Sequence, residues 1–205
     1  MSEIGLFPLG IVLLPTEQIP LHIFEERYQE LIGECLADGT EFGLVFADDE
    51  GLREIGTRAA VTEVLERFDD GRLNVVCEGR ERFRLLELTE GRSFQTGLVE
   101  PVEDDEPQAA EPAEADEAIG LFRRLVELSG AVVEEPALDS GQLSFELAGR
   151  FELAPELKQR LLQLTSERRR IQLLVELLGA AAVAVEREQE IADRARGNGK
   201  VDPRG

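Results

Sequence analysis

The stretch LFPLGIVLLPTEQIPLHIFEERY, residues 6–28, decides the fold because it places two apolar runs, two prolines and a helix start close together. Residues 11–14 and 19–23 have the length and aliphatic content of β-strands, and Pro15 and Pro20 limit them because proline has no ladder donor. Acidic residues then fall in a first helical turn, where negative charge suits the helix dipole. The spacing beyond them predicts one apolar helix face, made by Tyr28, Leu31, Ile32, Cys35 and Leu36.

Length, composition and charge set the outer limits of what this chain can be. Its 205 residues with 42% apolar content are enough for a buried core in one domain or two small ones. The formal net charge of -21 argues against a nucleic-acid partner, because phosphate binding draws on clustered cations. No apolar run approaches the roughly 18 residues that span a bilayer, and the N-terminal residues lack the features of a signal peptide. We therefore expect a cytoplasmic protein with no membrane partner.

Short apolar runs separated by turn residues follow the opening stretch. Residues 42–47, FGLVFA, form an uninterrupted apolar run of strand length. Residues 55–68 and 73–88 flank an Asp-Gly pair, which is one of the stronger hairpin signals, and a last strand is expected within residues 94–102. Five or six short strands with one inserted helix predict an α+β fold whose first domain, residues 1–102, is a small mixed β-barrel.

The composition changes abruptly after the last expected strand. Residues 103–117, EDDEPQAAEPAEADE, hold eight carboxylates and neither a cation nor a large apolar side chain, which predicts a disordered acidic linker. Helical spacing then resumes, and residues 118–193 are expected to form a helical bundle. Asp139 or Ser140 is a candidate N-cap for a short helix within it. Residues 194–205 have little to bury and are expected to be a disordered tail.

Four stretches resemble one known family when they are taken in order. The opening FPLGIVLLPTEQIPLHIFEERY resembles the start of the substrate-binding N-terminal domain of Lon-type ATP-dependent proteases, where such a pattern opens a PUA-like β-barrel. The others are IGTRAAV (55–61), LNVVCEGRERFRLLEL (73–88) and FELAPELKQRLLQLTSERRRIQLLVELL (151–178). Together they span nearly the whole chain. The resemblance implies a PUA-like barrel followed by helices, and a role in selecting and holding protein substrates.

The sequence lacks the residue patterns that ATP hydrolysis, proteolysis or metal binding would require. An ATPase module needs a GxxxxGK[ST] loop, and the Gly-Lys pair at 199–200 has Arg194 in place of the first glycine. A serine–lysine protease site has few candidates, because Lys158 and Lys200 are the two lysines. His22 and two cysteines, Cys35 and Cys77, lack the spacing of metal ligands. We therefore expect a non-catalytic protein without metal or cofactor.

Apolar residues around the proline corners are the candidate binding site. Exposed apolar patches rimmed by charge often mark polypeptide binding, whereas the alternative is that these side chains fill the barrel core. The candidate polypeptide-binding residues are Leu14, Ile19, Phe24 and Tyr28. The expected partners are unfolded or damaged polypeptides and a separate ATP-dependent protease. The chain would then act as an adaptor or a holding factor.

Three arginines give a second candidate site. Arg80, Arg82 and Arg84 alternate along a predicted strand and therefore share one face. They are candidate polar contacts for an acidic partner or for RNA, which makes RNA binding through the barrel the alternative function. The other interpretation is a solvated sheet face whose charge is balanced by Glu78, Glu81 and Glu87. A small-molecule pocket inside the barrel is a third hypothesis, based on fold analogy alone.

Overall fold

A computed structural model of the protein describes residues 1–105, 110–134, 136–138 and 141–198, with side chains left out at 193 and 195–198. The strands in these ranges are β1 (Ser2–Leu9), β2 (Gln18–Ile23), β3 (Phe42–Asp48), β4 (Gly51–Leu52), β5 (Ile55–Arg67), β6 (Leu73–Thr89) and β7 (Thr96–Pro101). The helices are α1 (Glu26–Asp38), α2 (Pro112–Ser129), α3 (Leu143–Ala148), α4 (Pro155–Gln163) and α5 (Glu167–Asn198). A mixed sheet with one inserted helix therefore precedes four further helices.

Five strands pair in a closed circuit. β1 pairs with β7, β7 with β6, β6 with β5 and β5 with β3, all antiparallel, and parallel pairing of β3 with β1 completes the circuit. Leu6 lies opposite Gly43 in that parallel ladder. β2 lies outside the circuit and, within the described residues, pairs with β6 alone. Its position at an edge agrees with Pro20 in its middle, because proline within sheets is confined largely to edge strands.

The hairpin of β5 and β6 confirms the prediction made from the Asp-Gly pair. The Phe68 N–H donates to the Arg72 carbonyl oxygen at 2.9 Å, and Gly71 has a φ of 90°, which residues with side chains rarely adopt. β6 then pairs with β2 near its start and with β7 near its end. Gly79 lies between the two, where a Cβ would meet the Leu14 carbonyl oxygen at 2.0 Å. A glycine is required there so that the connection before β2 can cross β6.

The prediction of a strand over residues 11–14 is wrong. The first strand is β1, and residues 11–14 form a connection outside the strands, mostly buried. Side chains bond part of its backbone: Thr57 Oγ1 donates to the Leu13 carbonyl oxygen at 2.6 Å, and the Leu14 N–H donates to Glu17 Oε2 at 2.9 Å. The apolar content of this run therefore reflects burial between layers, with its backbone groups bonded outside a β-ladder.

One apolar cluster joins the sheet to the later helices. Its members include Val12, Leu14, Phe46 and Ile55 from the strand half, and Phe122, Phe145, Leu147, Leu161, Ile171 and Leu174 from the helical half. A second cluster lies between α1 and the sheet. The predicted inward face of α1 is confirmed for four residues: Tyr28, Leu31, Ile32 and Cys35. The helical layer therefore packs directly on the sheet.

The predicted acidic linker is wrong in its second half, because α2 begins at Pro112. Glu111 and Glu114 cap this helix, with the Glu111 N–H donating to Glu114 Oε2 at 3.4 Å. α2 lies along α5 in parallel orientation, as the contacts of Arg168 with Glu114 and of Arg124 with Glu186 show. Packing against α5 therefore orders a segment whose composition alone favours disorder.

The structure tests only some of the other predicted segment boundaries. α5 continues through residues 194–198, which corrects the start of the predicted disordered tail. Residues 106–109 and 199–205, and the candidate N-caps Asp139 and Ser140, lie outside the described residues. The division into domains at residue 102 stays a prediction. None of the helices in the described ranges combines the length and apolar composition needed to cross a membrane.

Candidate functional site

A group of three rings, two of them exposed and one half-buried, lies where β2 meets α1. The side chain of Phe24, the residue after β2, is 62% exposed. The His22 ring stacks against it with centroids 5.9 Å apart, and the Phe68 ring meets His22 edge-on at 6.2 Å. His22 and Phe24 are two residues apart, whereas Phe68 comes from the β5–β6 turn. We call His22, Phe24 and Phe68 the aromatic surface.

Hydrogen bonds fix the His22 ring. Asn74 lies opposite His22 in the β2–β6 ladder, and its Nδ2 donates to Glu66 Oε2 at 3.0 Å. A carboxylate oxygen only accepts, so this bond orients the Asn74 oxygen toward His22. That oxygen lies 2.6 Å from His22 Nδ1, which therefore carries the proton. This bond orients the His22 ring, whose plane lies at 21° to that of the Phe24 ring.

Charged groups form the rim of the aromatic surface. The Arg72 guanidinium lies 4.9 Å from the Phe68 ring centroid, and its Nε donates to Asp70 at 2.8 Å. Bonds from the backbone and side chain of Arg72, against a smaller desolvation effect, hold the pKa of Asp70 below its usual value. Asp70 therefore stays ionised near neutral pH, and charged groups border the rings, an arrangement that suits apolar side chains of a partner.

The structure separates the four predicted apolar contact residues. Leu14 is fully buried beneath the helical layer, so a surface role for it is wrong. Tyr28 is 6% exposed and stacks on Phe7 with centroids 4.0 Å apart, so its surface role is wrong as well. Ile19 is half-buried, and Phe24 is exposed. Leu14 and Tyr28 fill cores because each lies on the inward side of its segment.

Sequence reasoning missed His22 and Phe68 as members of this surface. One signal was available for His22, because it alternates with buried Ile23 along a strand and so shares a side with Phe24. Phe68 carries no such signal, since its place depends on how the β5–β6 turn meets β2. The long-range pairing of β2 with β6 is what brings the three rings together.

The three predicted arginine contacts are also separated. Arg80 is exposed and pairs with Glu78 at 2.7 Å, and Arg84 is exposed. Arg82 is only 6% exposed, and its Nη1 donates to the carbonyl oxygens of Leu162 and Leu164 at 2.8 Å each. A solvated or partner-binding role for Arg82 is therefore wrong, because the junction of α4 and α5 covers this part of β6.

Arg82 belongs to a buried ionic network between the layers. Its Nη2 donates to Asp104 at 2.5 Å, and Arg170 of α5 donates to the same carboxylate at 2.8 and 2.6 Å. Arg170 also donates to Glu167 at 2.8 Å, and both guanidinium groups lie over the Phe145 ring. The positive charges of the two arginines therefore equal the negative charges of the two carboxylates. We call this arrangement the Arg82–Asp104–Arg170 network.

The network explains the protonation state of Asp104. Burial favours the neutral acid, but the hydrogen bonds and charges of Arg170 and Arg82 outweigh it and hold the pKa of Asp104 below its usual value. Nearby, Asp105 is tied to Thr165 by a backbone bond of 2.9 Å and a side-chain bond of 2.6 Å. The first residues of the acidic stretch are therefore bound to the α4–α5 junction.

The remaining residues considered for chemistry do not form a common site. His22 is exposed on β2, whereas Cys35 and Cys77 are buried. Burial, with a smaller contribution from Cys35, raises the pKa of Cys77 to about 12, which leaves its thiol protonated. Throughout the described ranges, no three histidine, cysteine or carboxylate side chains come together as metal ligands do.

Solved structures share this fold. The Lon N-terminal domain protein from Xanthomonas campestris has a TM-score of 0.69 and 28% identity, covering 86% of this chain and 98% of that one. The N-terminal domain of Mycobacterium avium complex Lon protease has a TM-score of 0.64 at 14% identity, covering 87% and 98%. The second similarity concerns the fold alone.

Sequence comparison identifies the family. The chain is 27% identical over an alignment of 210 residues to the Lon protease of Paraburkholderia phytofirmans, covering 94% of this chain and 26% of that protein. The Lon protease of Parabacteroides distasonis is 29% identical over 145 residues, covering 66% and 17%. The chain thus spans about a quarter or less of these two relatives. It belongs to the family described as the ATP-dependent protease La (LON) substrate-binding domain, which matches residues 3–180.

Proposed function

We propose that this protein recognises polypeptides without catalysing a reaction, either as an adaptor for a separate ATP-dependent protease or as a holding factor. The observation that carries the proposal is the exposed Phe24 ring beside His22 and Phe68. Membership of a substrate-binding domain family supports it. Unfolded or damaged polypeptides are the proposed partners, because they display the apolar side chains that such a surface removes from water. A cytoplasmic location is part of the proposal.

The finer architecture belongs to the same proposal. We infer that the closed strand circuit is a PUA-like β-barrel and that α2 to α5 form a helical bundle on it. The closed pairing of five strands and the similarity to Lon N-terminal domains support this inference.

Side chains, and not strand addition at β2, carry the proposed binding. β2 is an edge strand, and an added strand would need the N–H and C=O groups of that edge. Pro20 in the middle of β2 has no N–H, which weakens any such ladder. The aromatic surface offers ring faces whose contact with an apolar side chain has no such requirement.

The RNA alternative has less support. Arg82 donates to buried carbonyl oxygens and to Asp104, and Arg80 pairs with Glu78, so two of the three strand arginines are already engaged. The net charge of -21 repels phosphate. Titration with labelled RNA at low salt tests this alternative, and saturable, salt-sensitive binding would support it.

Binding of an unfolded polypeptide tests the proposal. The probe is reduced, carboxamidomethylated lysozyme carrying a fluorescent label, whose anisotropy is followed as the protein is added. Phe24→Ser should weaken binding about tenfold, because one largely exposed ring contributes about 1.4 kcal/mol when it is buried.

The matched control is Ile191→Ser, which removes an equally exposed apolar side chain (65%) from α5. This variant should bind as the unaltered protein does. Equal binding by the Phe24 and Ile191 variants contradicts the assignment of the surface, and ATP hydrolysis or peptide cleavage by the purified protein contradicts the non-catalytic role.

A further inference from the structure

A groove of about 700 Å³ lies at the other end of α1 from the aromatic surface. The start of β1, the last turns of α1 with residues 39–41, and residues 90–94 form its walls. Its size is within the range of small-ligand and peptide side-chain sites in proteins. We call it the α1 groove.

The floor of the α1 groove is apolar. Ile4 from β1, Leu31 from α1 and Phe94 from the segment before β7 contribute to it, and each is mostly buried. The packing beneath is tight, since a Cβ added to Gly5 would meet Leu31 at 2.3 Å and Phe94 at 3.0 Å. The floor is therefore a firm surface on which an apolar side chain can lie.

The rim of the α1 groove is acidic. Its carboxylates are Glu3, Glu34, Asp38, Glu41 and Glu90, and its cations are Arg58 and Arg92. Arg92 is already paired with Glu34 and lies 3.8 Å from Glu30, and Arg58 donates to Ser2 Oγ at 2.8 Å. Within the described part of the chain no ion pair of Asp38, Glu41 or Glu90 is seen. The rim therefore keeps an excess of negative charge.

The helix dipole adds to this charge. The C-terminal end of α1 carries partial negative charge, and the last turn of α1 holds no basic residue, although cations are favoured there. Glu34 and Asp38, one helical turn apart, repel each other at this end. A cation at the rim would relieve these interactions. A phosphate or nucleic acid would increase them.

We infer that the α1 groove binds a cationic segment of a polypeptide, with an apolar side chain on the floor and a neighbouring lysine or arginine at the rim. The inference rests on the proposed function and names the substrate class for a second site. An apolar floor and an unbalanced acidic rim occur together here, so basic segments that also contain leucine, valine or phenylalanine fit best.

A labelled octapeptide that alternates lysine with leucine tests the inference by fluorescence anisotropy. The variant Asp38→Asn, Glu41→Gln, Glu90→Gln removes rim charge while keeping side-chain size. We expect its affinity for the peptide to fall about tenfold, and added salt to weaken binding of the unaltered protein. Peptides with glutamate for lysine, or serine for leucine, should bind far more weakly.

The control variant Glu152→Gln, Glu176→Gln, Glu188→Gln makes the same net-charge change at exposed positions outside the groove. Its affinity for the octapeptide should remain within twofold of the unaltered protein. Equal weakening in both triple variants would show binding by overall charge only and would overturn the inference. Amide NMR signals of Gly39 and Gly91, which line the groove, should shift on peptide addition, and their invariance contradicts it too.

Two further outcomes separate the inference from the proposed function. Unfolded lysozyme that binds in a Phe24-dependent way, together with an octapeptide that does not bind, overturns the α1 groove alone. Absence of binding to unfolded lysozyme overturns the proposed function, and groove-dependent binding of the octapeptide would then stand as a separate peptide site.

Discussion

The aromatic surface and the Arg82–Asp104–Arg170 network both contain residues that the sequence indicates as contacts, yet one is open and the other is closed. Phe24 follows the edge strand β2, and within the described part of the chain its ring stays 62% exposed. Arg82 lies on β6 where the α4–α5 junction packs, so carbonyl oxygens and Asp104 occupy its donors. Local pattern gives each side chain its direction, whereas distant segments decide whether a partner can reach it.

The largest expected effect on stability comes from disrupting the Arg82–Asp104–Arg170 network. Arg170→Ala leaves the buried Glu167 and the partly buried Asp104 with fewer partners, and we expect the free energy of unfolding to fall by about 3 kcal/mol. Urea denaturation measures it. Arg84→Ala is the control and should stay within about 0.5 kcal/mol, because Arg84 is exposed. A loss as small for Arg170 as for Arg84 contradicts the importance of the network.

Removing Tyr28 should have an effect of similar size. Tyr28 lies four residues from Phe24 but fills the core beside Phe7, so Tyr28→Ala should lower the free energy of unfolding by about 3 kcal/mol. Thermal or urea unfolding measures the change. Phe7→Leu, which keeps most of the apolar volume, should cost less, and a negligible loss in Tyr28→Ala would mean that this ring is not packed as described.

Lowering the pH should reduce the contribution of Asp104 to the stability of the folded protein. Its pKa is lower in the folded protein than in the unfolded chain, so its stabilisation is complete above the unfolded value of about 4 and is lost as pH falls toward the folded value. We therefore expect the unfolding free energy of Asp104→Asn to lie below that of the unaltered protein near pH 7. The gap should narrow below about pH 4, and a gap that does not change with pH contradicts this assignment.

The smallest expected effect on stability comes from a substitution in the aromatic surface. Phe24→Ser should change the free energy of unfolding by no more than about 0.5 kcal/mol, because the ring already lies mostly in water. Chemical denaturation checks this value beside the binding experiment. A large destabilisation would show that Phe24 is structural and would remove it from the proposed binding surface.

Much of the strand half could be predicted from local patterns. The run at 42–47 became β3, the Asp-Gly pair became the β5–β6 turn, and the helix face after Tyr28 became the buried side of α1. β1 was missed because Gly5 and Pro8 interrupt its apolar pattern. Its ladders with β3 and β7 depend on pairings that no local window contains.

The candidate site was less predictable than the fold. Apolar character identified Phe24 but could not separate it from Leu14, whose burial depends on helices more than a hundred residues away. The alternation of the arginines predicted one shared face, yet Arg82 alone is buried, and its carbonyl acceptors lie 80 and 82 residues further along the chain. The capping pair of Glu111 and Glu114 indicates the start of α2, but the acidic composition of residues 103–117 favoured a disordered linker instead.

The apolar cluster shared by the sheet and the helices has a consequence for engineering. Leu14, Phe46 and Ile55 pack under the helical layer, so a fragment that ends at residue 102 would expose them and leave Arg82 without its acceptors. Such a fragment should self-associate in solution. Helices grafted from a relative onto this sheet would have to carry Asp104 and Arg170 with them, because Arg82 of β6 stays in the sheet and depends on both.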